Sequence, residues 1–226
     1  MNAQQVLNFL KRLTANNNRE WFNAHKEEWL ACKADLEVFT AQWIEAMQEI
    51  DPATADLKVK DCMYRIYRDT RFSHNKAPYK DWIGLIIAPH GGRKSPYGCY
   101  YLHFQPGQCL FAGGVWCPEP DTIKALRRDI YDNYEELESI FAREDVAPFF
   151  QGFDHDGELK KLPAPFNHSA KDFPHPKWIS RKSFTFEYRL TDADMQSPDF
   201  FERLLTLCRA AKPINDFLNY TVSACV

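Results

Sequence analysis

The densest run of residues able to do chemistry lies between Arg65 and Lys80, RIYRDTRFSHNKAPYK, where Arg65, Arg68, Arg71, Lys76 and Lys80 stand against the single acid Asp69. Guanidinium forks bind carboxylate or phosphate through paired N–H donors, and a lysine adds a point charge. Several of them converging on one hollow would hold a phosphorylated or polycarboxylate ligand. The competing reading is a structural network in which Arg68 or Arg71 pairs with Asp69 or Asp81 and the rest are solvated. If residues 65–71 are extended, Arg65, Tyr67, Asp69 and Arg71 share one face, and Arg68 points the other way with Ile66. An arginine on an apolar face needs a partner, so Arg68 is expected to be structural, and Arg65 and Arg71 to meet the ligand. The expected ligand-binding set is Arg65, Tyr67, Asp69, Arg71, Lys76 and Lys80, joined by His103 from a strand that also carries Tyr101.

Other chemistry has less support. The histidines His25, His74, His90, His103, His155, His168 and His175 include no H-E-x-x-H and no H-x-H pair, so metal ligands would have to come from distant segments. Asp154-His155-Asp156-Gly157 offers too few oxygen ligands for calcium and reads as a turn. There is no G-x-S-x-G elbow, and neither Cys62 nor Cys99 has a base beside it in sequence. Gly91-Gly92 and Gly113-Gly114 lack the dinucleotide and P-loop patterns, and Gly113-Gly114 reads as a bulge or a close backbone approach within a strand. Arg128 reads as a solvated helix charge. His103 could act as a general acid or base, although a hydrogen-bonded sheet histidine is the plainer reading. No motif calls for a cofactor.

Composition sets the bounds on partners. With 28 basic and 31 acidic side chains the net charge is −3, which gives no long-range pull on nucleic acid or an anionic membrane. Nucleic-acid contact is therefore disfavoured, and an anion site has to be local. The seven cysteines are odd in number with no C-x-x-C pair, which points to reduced thiols in the core instead of disulfides or zinc. Cys99 and Cys109 could approach each other across a hairpin, but nothing requires a bond. The opening MNAQQVLNFLKRLTANN is amphipathic without a signal-like apolar core, and no apolar run nears the roughly 20 residues of a bilayer span. The expectation is a cytoplasmic protein with no membrane contact.

The elements that must position these residues follow from periodicity. At 226 residues, 45% apolar and 15% aromatic, the chain can fill one core, so one domain is expected. Val6, Leu7, Leu10 and Leu13 predict a first helix ending at Asn16-Asn17-Asn18, with Asn18 capping the next. That second helix reads as long, because Phe22, Trp29, Leu36, Trp43 and Ile50 fall seven apart before Asp51-Pro52 stops it; the bulky seam suits packing within the chain better than a coiled-coil dimer. Met63–Arg68 and Trp82–Ala88 read as strands, and Pro106-Gly107 as the turn of a hairpin with Leu102, Phe104, Cys109 and Phe111 facing the core. A third long helix is predicted from Asp121 through Phe141, its stripe covering the sheet. The Pro-rich, aromatic stretch 148–180 should pack down. Phe184–Arg189 reads as a strand, Ser197-Pro198 as the opening of a helix through Cys208, and Ile214, Phe217 and Leu218 as a final short helix. The order gives an α+β fold, a largely antiparallel sheet covered by long helices.

R-D-T-R-F from Arg68, K-A-P-Y-K-D from Lys76 and N-R-E-W-F from Asn18 together resemble the signature of the bacterial family known as domain of unknown function 2461. The resemblance extends through Gly113-Gly114 and the Arg128 helix to K-S-F at Lys182 and P-I-N-D-F-L at the end, and is loosest around Ala164-Pro165-Phe166-Asn167. It implies a compact bacterial protein and supplies no activity, substrate or catalytic residue. Three functions stay in view: a small-molecule anion site in the basic segment, an interaction protein without a pocket, and an acid–base enzyme working through His103, Tyr67 or Asp69.

Overall fold

Helix α1 (Ala3–Ala15) buries Val6, Leu7, Leu10 and Leu13 and is capped by Asn2. The computed structural model describes residues 1–71, 73–154, 157–166 and 173–226. His155 and Asp156 of the acidic turn, Asn167 of the loosely matching stretch, and His168 therefore lie outside the described residues. Asn18 accepts the Trp21 N–H at 2.9 Å and opens α2 (Arg19–Ala24), with Glu20 in its first turn. The long helix predicted from Phe22 is two helices: His25 leaves helical geometry, and α3 runs Lys26–Ile50. The His25 ring explains the break, since its Nδ1 bonds the Trp21 carbonyl at 2.8 Å and the ring stacks on Trp21 at 4.0 Å. The seam residues Phe22, Trp29, Leu36 and Trp43 are buried, and α3 packs on α1 and on the last helix, α9 (Phe200–Ser223), so the seam is used within the chain.

Strands β1 (Ile83–Ile87), β2 (Cys99–Phe104), β3 (Leu110–Val115) and β4 (Phe184–Arg189) form one antiparallel sheet in that order. Leu102 pairs with Phe111. Leu102, Phe104, Cys109 and Phe111 are fully buried, as the turn at Pro106-Gly107 predicts, and Tyr101 and His103 are half-buried on the opposite face. Cys99 pairs with Gly114 at one end of the hairpin, while Cys109 contacts the Gln105 carbonyl at the other, so these thiols lie apart.

Met63–Arg68 is not a strand. After the short α4 (Val59–Cys62) it makes only isolated bridges, Met63 to Leu85 and Tyr67 to Tyr79. Its first part leans on β1, with Tyr64 N–H donating to the Gly84 carbonyl at 3.0 Å. Its second part folds back on its own downstream chain through Arg68 N–H to Pro78 O at 2.9 Å and Lys80 N–H to Ile66 O at 2.7 Å. Residues 63–71 and 73–82 thus form a doubled arm.

The third predicted helix also divides, at Asn133, into α5 (Pro120–Asp132) and α6 (Tyr134–Phe141). The stripe of α5 does not cover the sheet. It packs on α9 and on α7 (Pro176–Ile179), and α9 is the helix that lies on β3 and β2. Ser197 does not cap α9; it closes an unforeseen short helix, α8 (Asp192–Gln196), which Thr191 and Asp194 cap reciprocally. The final segment is continuous with α9, whose Pro213 sits inside the helix. The backbone bond that proline removes is offset by the burial of Ile214, Phe217 and Leu218 just beyond it. Phe150, Phe153, Phe166, Phe173 and Trp178 of the Pro-rich stretch are buried, and one apolar cluster runs from Ala3 to Val222. Among the described residues, no helix is long and apolar enough to cross a membrane.

Gly113-Gly114 is a close backbone approach. Gly114 has φ +95°, and a Cβ there would stand 2.0 Å from the Phe184 carbonyl oxygen. Asn215 of α9, wholly buried, reaches this point, accepting the Gly114 N–H at 2.9 Å and donating to the Cys99 carbonyl at 3.1 Å.

Candidate functional site

The arm is anchored by residues far upstream. Asn17 clamps Tyr79 by both ends of its amide, accepting the Tyr79 N–H at 3.1 Å and donating to its carbonyl at 3.0 Å. Phe22 stacks flat on Tyr79, ring centres 4.0 Å apart. The N-R-E-W-F and K-A-P-Y-K-D segments, remote in sequence, therefore meet in space. Beside this joint is a cavity of about 400 Å³ whose lining includes Asn17, Arg68, Asn75, Lys80, Asp81 and Trp82. A larger hollow of about 540 Å³ against Phe39, Pro198 and Phe200 carries no charged side chain. A third, on the exposed side of α1, holds Arg12 already paired with Glu28.

The residues expected to bind a ligand do not all come together. Arg71 is engaged bidentately by Asp69, Nε to Oδ1 at 3.0 Å and Nη2 to Oδ2 at 2.7 Å, and this pair holds the Asp69 carboxyl below its usual range. Lys76 is exposed and donates to the Thr70 carbonyl at 3.0 Å. Tyr67 is 51% exposed, its ring tilted against Phe22 and Tyr79. Arg65 is exposed and does not line the cavity. Of the seven, Lys80 lines the cavity. Arg68, expected to be structural, lines it too.

The alternation on which that expectation rested does hold locally, since Ile66 is buried and Arg68 half-buried beneath the exposed Arg65 and Tyr67. What sequence could not supply is the partner. Among the described residues no carboxylate lies within 4.0 Å of the Arg68 guanidinium, and its one side-chain bond is a long 3.4 Å contact to Ser73 Oγ. Lys80 likewise has no carboxylate partner there; its ammonium lies 4.4 Å from the centre of the Trp82 ring and 5.2 Å from that of Tyr64. Burial, with the nearby charges of Arg65 and Arg93, pushes the Lys80 pKa down. Asn17, Asn75, Asp81 and Trp82 also line the cavity and are not among the residues expected from sequence. The Asn16-Asn17-Asn18 run is the one sequence signal near them, and its spacing points to a helix end and a cap, not to a cavity wall.

His103 sits on the outer sheet face, joined to the cavity by a directed chain of hydrogen bonds. The Tyr101 hydroxyl meets His103 Nδ1 at 2.8 Å, His103 Nε2 meets Gln105 Oε1 at 3.0 Å, and Gln105 Nε2 donates to Asp81 Oδ2 at 3.4 Å. Burial lowers the His103 pKa, so the ring is neutral at pH 7, and the chain is consistent with Nδ1 accepting and Nε2 donating. Gly84 makes room for it: a Cβ there would stand 2.6 Å from the Tyr101 ring, so a larger residue would lift Tyr101 off the sheet. Burial pushes the Cys62 and Cys99 thiols up to about 12, which keeps both protonated and unreactive as nucleophiles. Among the described residues, no three of His, Cys, Asp and Glu gather as metal ligands would. Arg128 pairs with Asp132 one turn along its helix.

The molecule is thus an α+β protein with one antiparallel sheet, a doubled arm packed on its edge and a charged cavity under that arm. A family model described as "Conserved hypothetical protein (DUF2461)" matches residues 5–217, and the chain belongs to that family. No curated protein and no solved structure matches it.

Proposed function

We propose that the protein binds a small anionic molecule, by its phosphate or carboxylate group, in the cavity under the arm. The observation that carries this reading is that Arg68 and Lys80 line one cavity, with no carboxylate of the described chain within ion-pair distance of either. Half-buried cations without a carboxylate partner are costly to hold, and a bound anion would offset that cost through charge-assisted hydrogen bonds. Asn75, whose Oδ1 accepts the Ala77 N–H, adds its amide N–H donors to the same wall. The proposed setting is the cytoplasm. All seven cysteines are free, five of them buried, which suits a reducing compartment.

Thermal unfolding in the presence of inorganic phosphate and succinate tests the proposal. A ligand at a hundred times its Kd stabilises the folded state by about 2.7 kcal/mol, so at least one of the two should raise the melting temperature. Arg68→Ala should remove the shift. Arg71→Ala, which breaks the exposed pair with Asp69 and leaves the cavity lining intact, should retain it. No shift with either anion, or a shift lost in Arg71→Ala and kept in Arg68→Ala, would overturn the assignment.

A further inference from the structure

We infer that the ligand is a zwitterion, a small molecule carrying an amine together with its phosphate or carboxylate. The inference rests on the anion reading above and names the rest of the ligand. Asp81 lines the same cavity as Arg68 and Lys80, and among the described residues no Lys, Arg or His nitrogen lies within 4.0 Å of its carboxylate. Among the described residues, the only side-chain bond it accepts is the 3.4 Å contact from Gln105. The cavity wall therefore presents charges of both signs, and neither sign cancels the other.

A structural network would pair these charges, as Asp69 and Arg71 do a few residues away. Lys80 and Asp81 are adjacent in the chain, yet the Lys80 ammonium goes to the Trp82 and Tyr64 rings. A pocket built for a plain anion gains nothing from a carboxylate on its wall, which repels such a ligand. An ammonium reverses the sign of that interaction, so Asp81 would favour aminated anions and discriminate against the unaminated ones. The Tyr101–His103–Gln105 chain ends on Asp81 Oδ2 and bears on its orientation, leaving Oδ1 with no side-chain partner in the described structure. The volume of about 400 Å³ falls within the range of small-molecule pockets.

Matched pairs that differ only by the amine test this, with binding to the intact protein followed by calorimetry: O-phosphoethanolamine against monoethyl phosphate, and β-alanine against propionate. The first pair succeeding alone identifies a phosphate site, the second alone a carboxylate site. The aminated member of at least one pair should bind wild type at least about tenfold more tightly. Asp81→Asn, close in shape, should reduce that preference to about onefold and strengthen the unaminated anion, whereas Arg68→Ala should weaken both members. Equal binding of both members to wild type, a result that needs no variant, would overturn the inference and leave the anion site standing. So would a preference that survives Asp81→Asn. If none of the four compounds binds, the anion site and the zwitterion fall together.

Discussion

The junction of β2, β3 and α9 and the arm at residues 63–82 handle polar groups in opposite ways. At the junction, Asn215 is wholly buried and uses both ends of its amide on backbone groups, and the Tyr100 hydroxyl, equally buried, donates to Asp51 at 3.0 Å. At the cavity under the arm, Arg68, Lys80 and Asp81 are half-buried and form no ion pairs among the described residues. An unmet donor or acceptor is most expensive where water cannot reach it, and at this junction Asn215 and Tyr100 meet theirs within the chain. Partial exposure lowers that penalty, and charge can be kept available for something outside the chain.

The largest effect that would sharpen this contrast is Gly114→Ala. The added methyl group meets the Phe184 carbonyl at 2.0 Å with φ at +95°, and the expected loss is on the order of 3–5 kcal/mol, seen as insoluble protein or a collapsed urea midpoint. Next is Asn215→Leu, which leaves the Gly114 N–H and the Cys99 carbonyl buried without their side-chain partner. Urea denaturation should register a loss of about 2–4 kcal/mol; a loss under about 0.5 kcal/mol would mean that the junction is not the closed network described and would break the comparison.

The smallest effect concerns His103, on the arm side. Its folded pKa lies below the ordinary 6.5, so the unfolded chain takes up a proton first as the pH falls. Below 6.5 the unfolded state then binds more protons, and stability declines until the folded ring also protonates. His103→Gln should flatten the acid limb of the urea midpoint below pH 6.5. An unchanged limb would show that the ring is not held neutral by its surroundings.

Much of this architecture was legible because it depends on local rules. Hairpin faces follow from two-residue alternation about Pro106-Gly107, and α1 follows from apolar spacing and its flanking asparagines. The errors share a cause. His25 and Asn133 break helices whose apolar periodicity continues across them, and Pro213 fails to break a helix that burial sustains. The surroundings of Arg68 are not local either: an apolar-side arginine needs a partner, and whether a carboxylate stands near it depends on how residues 66–68 and 78–80 fold together.

By itself the sequence determined the α+β class, the strand faces, the family and the stretch in which the basic charge is concentrated, since each is written in residue type and spacing. Only the tertiary structure decided which of those charges share a cavity and which are already paired. Ion pairing acts over a few ångströms in space, and contacts such as Asn17 with Tyr79 are set by packing between segments that the chain holds far apart.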